Sequence, residues 1–519
     1  MTGALTLILS LLMAQQAPRG GRQQSPATAP ASTAEQAKPA AEAPKPLLEE
    51  KPVETKHELR AGGKTLNYTA TAGMMPIKSQ QGEIEANLFY VAYTLDGATD
   101  PSKRPLMIAF NGGPGAASVW LHLGCIGPKR VKMNDDGSMP AAPYQLVDND
   151  QTWLDQADLV FVDPVGTGYS RAARPDLQRR FNGFDGDVQS VGEFIRLYLT
   201  RTERWASPLF LVGESYGTTR AAALTGHLIE QGIAFNGVAL LSSVLNFESV
   251  RFGAGNDLPY ELFLPTYTAT AWYHKKLAPD LESDLKKTLQ EVEHWALTGY
   301  AEALAKGDRL TAAEHKALIE KLARYTGLDP RYVDNADARL EIQRFTREIL
   351  RNRKLMAGRL DSRLTGPAPL STSETVEFDP SMTAIRPPYT AMFNQYVRAE
   401  LAYKTDAVYY TLGGGILPWD YGTQNQNRYV DVADSLRGAF AKNPYMKVFL
   451  GCGYFDLATP YFAAEYVFSH MGLHPSLRKN ITTKYYTAGH MFYIDVPSLK
   501  KLRTDIGQFM ENSIPAPAR

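Results

Sequence analysis

Ser215 stands at the tip of a Gly-x-Ser-x-Gly turn, Gly213-Glu214-Ser215-Tyr216-Gly217, directly after the apolar run 208–212. A hydroxyl held out on so sharp a turn is placed to attack a carbonyl carbon. The flanking glycines fit because strand and helix pass too close there for a Cβ. Residues 218–231 carry Ala-Ala-Ala-Leu and His-Leu-Ile at helical spacing, so the turn has the strand before it and the helix after it that a nucleophile elbow needs. A tight turn without chemistry is the plainer alternative, and the strand, turn, helix context weighs against it.

A neutral hydroxyl is a poor nucleophile. It needs a general base within hydrogen-bond reach, an acid that orients the base, and backbone donors facing the developing oxyanion. The partners of an elbow serine follow it in the chain, acid before base. Of nine histidines, His490 is the expected base, in Thr487-Ala488-Gly489-His490-Met491 after a β-rich stretch, where small neighbours let an imidazole turn over the sheet edge. His57, His227, His294 and His315 precede the acid or sit on helical patterns. Asp456 is the expected acid, in a turn after the apolar run 446–450; capping the helix that begins near Pro460 is its competing use. The expected oxyanion donors are the amides of Tyr216 and of Gly113, the latter in the loop Asn111-Gly112-Gly113-Pro114-Gly115. No Gly-Lys-Ser/Thr follows that loop, which argues against a phosphate cradle.

Strand signals recur at 64–70, 85–95, 106–110, 159–163, 209–212, 238–241, 446–450 and 482–486. Between the fourth and fifth lies an amphipathic stretch, 188–205, with Val191, Phe194, Ile195, Tyr198 and Leu199 on one face. The alternation predicts an α/β protein with a mostly parallel sheet whose first pair is antiparallel. It stops at about residue 250, where helical, charged segments such as 280–305 and 311–325 begin. The expected organisation is a signal peptide or anchor at 1–17, a disordered Ala/Pro/Gln-rich linker at 18–52, core at 53–249, a helical cap at 250–399, and core again at 400–519. Arg359–Arg363, with Leu360, Asp361 and Ser362 between, and the aromatic-rich stretch 260–273 stand out in the insertion, where surface and packing roles are the ordinary ones.

Fifty-five basic and 55 acidic residues cancel, so charge points to neither nucleic acid nor anionic lipid as partner. With 44% hydrophobic and 10% aromatic residues the composition is that of an ordinary globular enzyme. The apolar run 4–14 is too short for a comfortable membrane span and long enough for a signal sequence. Export to a periplasm or the exterior is therefore expected, with an uncleaved anchor as the alternative. Asn67 and Asn480 head glycosylation tripeptides that matter only in a eukaryotic secretory host.

Several stretches together are specific. Asn-Gly-Gly-Pro-Gly at 111–115, Gly-Glu-Ser-Tyr-Gly at 213–217, Asp163-Pro164-Val165-Gly166-Thr167-Gly168-Tyr169-Ser170, Asp456 and Ala488-Gly489-His490-Met491 occur in the order found in the serine carboxypeptidase family, which the chain resembles over about residues 60–515. The resemblance implies an α/β-hydrolase fold and release of single residues from peptide carboxyl termini through an acyl-enzyme on Ser215. His490 would act as base and Asp456 as its orienting acid, with no cofactor and no metal. Its substrates would be peptides with a free C-terminus, with esters and amides as side reactions. It also implies that Asn111 and Glu214 bind the substrate carboxylate. Two carboxyl groups that share a proton bind best in acid, so peptide hydrolysis is expected to weaken as pH rises through a raised Glu214 pKa.

One position departs from the family. Many members carry a second glutamate before Leu-Gly-Pro, and here the stretch reads Cys125-Ile126-Gly127-Pro128. A thiol does not share a proton in that way near neutral pH, so the network is simpler or is completed from elsewhere, the insertion included. Cys125 and Cys452 are the only cysteines, whereas secreted eukaryotic members are rich in disulfides, and a bacterial exported member is expected. Both lie near active-site loops; a bridge is open, but buried free thiols are favoured because Cys452 falls within a strand. Three function classes remain: carboxypeptidase, an esterase or acyltransferase on the same three residues, and a non-catalytic binding domain, against which the intact Ser215, Asp456 and His490 argue.

Overall fold

The computed structural model describes Leu47 and residues 49–514, apart from residue 99. The expected signal segment and the linker up to residue 46 lie outside the described residues. The long strands of the main sheet are β1 (Val53–Ala61), β2 (Lys64–Lys78), β3 (Ile84–Leu95), β4 (Leu106–Phe110), β5 (Asp158–Val162), β6 (Leu209–Ser215), β7 (Gly237–Ser243), β8 (Lys447–Gly453) and β9 (Ile481–Tyr486). They lie side by side in the order β1-β2-β3-β5-β4-β6-β7-β8-β9, and Arg171–Ala172 adds a short tenth strand against β3. Neighbours from β1 to β5 are antiparallel and those from β5 to β9 are parallel. This is the expected α/β-hydrolase arrangement.

Strand periodicity explains the layers. Leu106, Ile108 and Phe110 of β4 enter one apolar core, while Met107 and Ala109 enter the other; β6 and β7 divide in the same way, so the parallel strands are buried on both faces. Helix α1 (Phe184–Arg201) covers the first face with Val191, Phe194, Ile195, Tyr198 and Leu199. Helix α2 (Tyr216–Ile229), which leaves the elbow, covers it beside α1.

Between β7 and β8 the chain forms, among others, α3 (Leu258–Tyr273), α4 (Leu285–Trp295), α5 (Ala312–Thr326) and α6 (Pro380–Ala399). The first three join the core of the α1 face, whereas Ile385, Tyr389, Phe393 and Tyr396 of α6 join the opposite core. That opposite core is closed by α7 (Val496–Ser513) through Leu499, Leu502, Ile506 and Phe509.

Three local expectations are corrected. Strand β1 lies within the expected core but carries no strand signal in the sequence, because every second residue is charged; it is an edge strand whose charged side faces water. Strand β2 runs on to Lys78 through Gly73 and Pro76. Gly73 is tolerated there because its missing side chain leaves room for Pro52, whose Cβ would otherwise lie 2.8 Å away. The amphipathic helix ends at Arg201, leaving Trp205 outside it and 50% exposed.

At the head of β5, Asp158 is buried and accepts from the Leu95 amide at 3.0 Å and from Arg104 Nε at 3.0 Å, while pairing also with Arg204. One carboxylate thus pins the start of a central strand to two arginines. Removing one partner of a buried pair strands the other charge at a cost of roughly 3 kcal/mol or more. Asp158→Ala is expected to lower the unfolding free energy by about that amount in urea titration.

Candidate active site

Strand β6 ends at Ser215, whose φ of 60° and ψ of −131° lie where side-chain-bearing residues rarely go. The conformation is enforced by crowding. A Cβ on Gly213 would run into the Gly217 carbonyl, and one on Gly217 would lie 2.8 Å from the Phe110 carbonyl oxygen. Gly112 abuts the Tyr216 and Gly217 amides and has no room for a side chain either. Hence the glycine-rich loop after β4 and the elbow touch backbone to backbone. The Tyr216 amide is the first of α2 and has no acceptor within the helix.

Parallel pairing brings the late loops to the same edge. Ser215 pairs in register with Ser243 at the end of β7. The preceding Ser242 donates from its hydroxyl to the His490 carbonyl at 2.6 Å, and its own carbonyl accepts from Thr459 Oγ1 at 2.9 Å. Asp456, at the end of β8, is fully buried and its Oδ2 meets His490 Nδ1 at 2.7 Å. Its other contacts are the Ala458 and Thr459 amides and the Thr459 hydroxyl. Asp456 therefore organises its own turn and His490; the next helix, Tyr461–His470, is preceded by Pro460, so the capping alternative does not hold. Burial pulls His490 down, but the Asp456 charge and hydrogen bond, with Glu214 nearby, outweigh it and leave the pKa above the usual histidine value. Among the described residues, Ser215 Oγ makes no hydrogen bond, so the link from serine to imidazole is open in this conformation.

Asn111 and Glu214 are brought together. Asn111 Nδ2 donates to Glu214 Oε1 at 2.9 Å, while its Oδ1 accepts from the Leu121 amide. Burial pushes the Glu214 pKa up to about 7, against the lowering effect of His490 and the hydroxyl and amide groups around it. Its second oxygen, Oε2, and the buried hydroxyls of Tyr389 and Tyr493 make no hydrogen bond of ordinary geometry, although Tyr493 lies near enough to Glu214 to act on its charge. These tyrosines stand at the departing position: a Cβ on Gly124, next to Cys125, would lie 3.1 Å from the Tyr389 hydroxyl and against the Tyr493 ring. Cys125 is fully buried, its thiol pushed up by burial and by Glu214. Where a glutamate was expected there are a thiol and two phenols, one of them from α6 of the insertion. Cys125 and Cys452 are both free, buried thiols.

Other residues of the site were not anticipated. Arg220 of α2 is 1% exposed, pairs with Asp187 of α1 at 2.8 Å and donates to the Asn111 carbonyl at 2.7 Å, bracing the glycine-rich loop from below. From the insertion, residues 359–363 are strapped across the Asp456 and His490 loops. Leu457 N donates to Arg359 O at 3.0 Å, His490 N to Leu360 O at 2.6 Å, Ser362 N to Phe455 O at 3.0 Å, and Gly489 N to Asp361 Oδ2 at 3.1 Å. Arg363 pairs with Asp361 and Asp495 and donates to the Thr487 carbonyl. An arginine on a predicted helix carries no mark of such a brace, whereas Leu-Asp-Ser between two arginines stands out in the sequence without showing whether its role is surface, packing or the site.

A family model described as serine carboxypeptidase matches residues 62–496. Serine carboxypeptidase-like 9 of Arabidopsis thaliana is 29% identical over 185 residues, 34% of this chain and 40% of the relative. Serine carboxypeptidase-like 8 of the same plant is 30% identical over 167 residues, 31% and 37% of the two chains. The chain thus spans less than half the length of these relatives. Among solved structures, the prohormone-processing carboxypeptidase Kex1 of Saccharomyces cerevisiae superposes with a TM-score of 0.53 at 17% identity, covering 86% of this chain and 91% of that one. At that identity the likeness carries the fold.

The Asp456–His490 contact makes a direct prediction. In proton NMR titration His490 should titrate above the ordinary histidine range, and Asp456→Asn should move its midpoint downward, because burial is then opposed chiefly by Glu214 alone. An unchanged midpoint would mean that the two side chains are not coupled.

Proposed function

Because this chain belongs to the serine carboxypeptidase family, we propose that it removes C-terminal residues from peptides through an acyl-enzyme on Ser215. In this mechanism Ser215 Oγ attacks the last peptide carbonyl while His490 Nε2 takes the hydroxyl proton. Asp456 holds Nδ1 and stabilises the imidazolium. A small rotation of the serine side chain closes the hydrogen bond that is open in the free protein. The Gly113 and Tyr216 amides receive the oxyanion. Collapse breaks the C–N bond, His490 returns the proton to the leaving amine, and the released residue departs. Water, deprotonated by His490, then attacks the ester and regenerates Ser215.

The observation that carries the exopeptidase reading is the buried Asn111–Glu214 pair one residue before the nucleophile. With its pKa near 7, Glu214 enters the reaction protonated in mild acid. It can then donate to the substrate's terminal carboxylate while Asn111 fixes its orientation. An esterase or acyltransferase on the same residues is the second reading, favoured by Cys125 at the position where many members carry a glutamate. The helical segment 250–399 supports a cap over the crevice, since residues 359–363 already bind the catalytic loops. The apolar run 4–14 supports export; none of the described helices is long and apolar enough to cross a membrane.

Mass spectrometry of a peptide offered in free and C-terminally amidated forms separates the readings. The free form should lose residues one at a time, the amide should persist, and Ser215→Ala should cut turnover by on the order of 10⁴ or more. Equal cleavage of both forms would discard the exopeptidase reading. For the free peptide, KM should rise about tenfold from roughly pH 6 to 8 as Glu214 ionises and repels the carboxylate. An ester without a carboxylate should lack that rise, and Glu214→Gln, neutral throughout, should flatten it.

A further inference from the structure

Arg359 differs from the other arginines around the site in having nothing to bind. Arg220 pairs with Asp187, Arg363 with Asp361 and Asp495, and Arg251 donates to the Tyr421 hydroxyl while lying over the Phe247 ring at 5.4 Å. The Arg359 guanidinium makes no hydrogen bond and no ion pair with any described residue. It is exposed to solvent, yet the protein around it pulls its pKa down.

Its mounting is rigid. The Arg359 amide donates to Asp379 Oδ1 at 3.0 Å, its carbonyl accepts from Leu457 N, and the next carbonyl accepts from His490 N. The nearby Asp379 carboxylate favours the cation but makes no ion pair with it; its Oδ1 also accepts from the Ser381 amide and hydroxyl. The cation's field reaches Asp456 and His490, where it opposes protonation of the imidazole, and Arg251 adds like charge from the Tyr216–Phe247 side. A guanidinium that makes no ion pair, carried on the backbone strap that also holds His490, is available to pair with an anion that enters the site.

We infer that Arg359, supported by Arg251, forms a subsite for a second carboxylate on the substrate, the acidic side chain of the residue that leaves. The assignment rests on the carboxypeptidase reading above and specifies its substrate class. The leaving side follows from position: His490 protonates the departing amine, and Arg359 stands one residue from the strap carbonyl that holds the His490 amide. The terminal α-carboxylate is already provided for by Asn111 and Glu214, which leaves the guanidinium for the side chain. Arginine suits the task, since its planar fork matches a carboxylate in two parallel hydrogen bonds.

The test uses the full chain carrying Ser215→Ala, so that substrates bind without turning over, and calorimetry with three N-acetylated tripeptides that differ only in Gln or Glu placement. The peptide ending in Glu should bind about tenfold more tightly than the one ending in Gln, and a penultimate Glu should give no gain. Arg359→Gln should erase the preference and Arg359→Lys should keep part of it, with circular dichroism verifying that each variant is folded. The inference is overturned if Glu and Gln bind alike, if neither binds, if the preference survives Arg359→Gln, or if the penultimate Glu is preferred. It is also overturned if Arg359→Gln weakens both peptides equally, since the guanidinium would then hold the terminal carboxylate. Failure of the serine-containing protein to cleave either peptide would instead count against the carboxypeptidase reading, with the binding comparison still readable.

Discussion

The close crossing of two backbones, the loop after β4 and the turn that joins β6 to α2, is the constraint on which the rest of the site depends. Three glycines, Gly112, Gly213 and Gly217, lack side chains where a Cβ would strike the opposing main chain. Their contact forces Ser215 into positive φ and so sets its hydroxyl on the open side of the sheet. Such a conformation costs of order 1–3 kcal/mol at a residue with a side chain, which the two apolar cores on either face of the parallel strands offset. It also sets the Tyr216 amide, which has no acceptor within the helix, against the glycine-rich loop, so one packing constraint places both the serine hydroxyl and a backbone donor.

Around that crossing, buried polar contacts fix what apolar packing leaves free. Arg220 reaches from α2 to Asp187 on α1 and to the Asn111 carbonyl, tying the glycine-rich loop to the helices beneath it. On the other side, residues 359–363 tie the Asp456 and His490 loops to each other through the insertion. Ser215, Asp456 and His490 therefore come from separate loops, and the last two are held by partners that are themselves buried. The same insertion brings Tyr389 close to Cys125 and within the field of Glu214, and Arg359 within the field of Asp456, so the segment between β7 and β8 contributes polar groups as well as packing.

Much of this was legible in the sequence because the determinants are local. The elbow, the glycine-rich loop and the alternation of strands with helices are short patterns whose geometry follows from few residues, and the structure places Asn111, Glu214, Ser215, Asp456 and His490 at one edge of the sheet. What was not legible depends on long-range pairing. Strand β1 hid behind alternating charge. Neither the Arg220–Asp187 pair nor the grouping of Cys125 with Tyr389 and Tyr493 leaves a mark at any one position, since the partners lie far apart in the chain. The strap at 359–363 is a loop held in part by backbone atoms, and backbone hydrogen bonding between distant loops has no sequence pattern.

The central claim is that Ser215 is an activated nucleophile, made so by His490 and Asp456. Covalent labelling with a fluorophosphonate, located by peptide mass mapping, measures this directly. The account predicts one stoichiometric phosphonyl group on Ser215 in the intact protein and labelling slowed by a factor of about 10³ or more in His490→Ala. Labelling at another residue, or labelling of Ser215 at an undiminished rate without the imidazole, would contradict it.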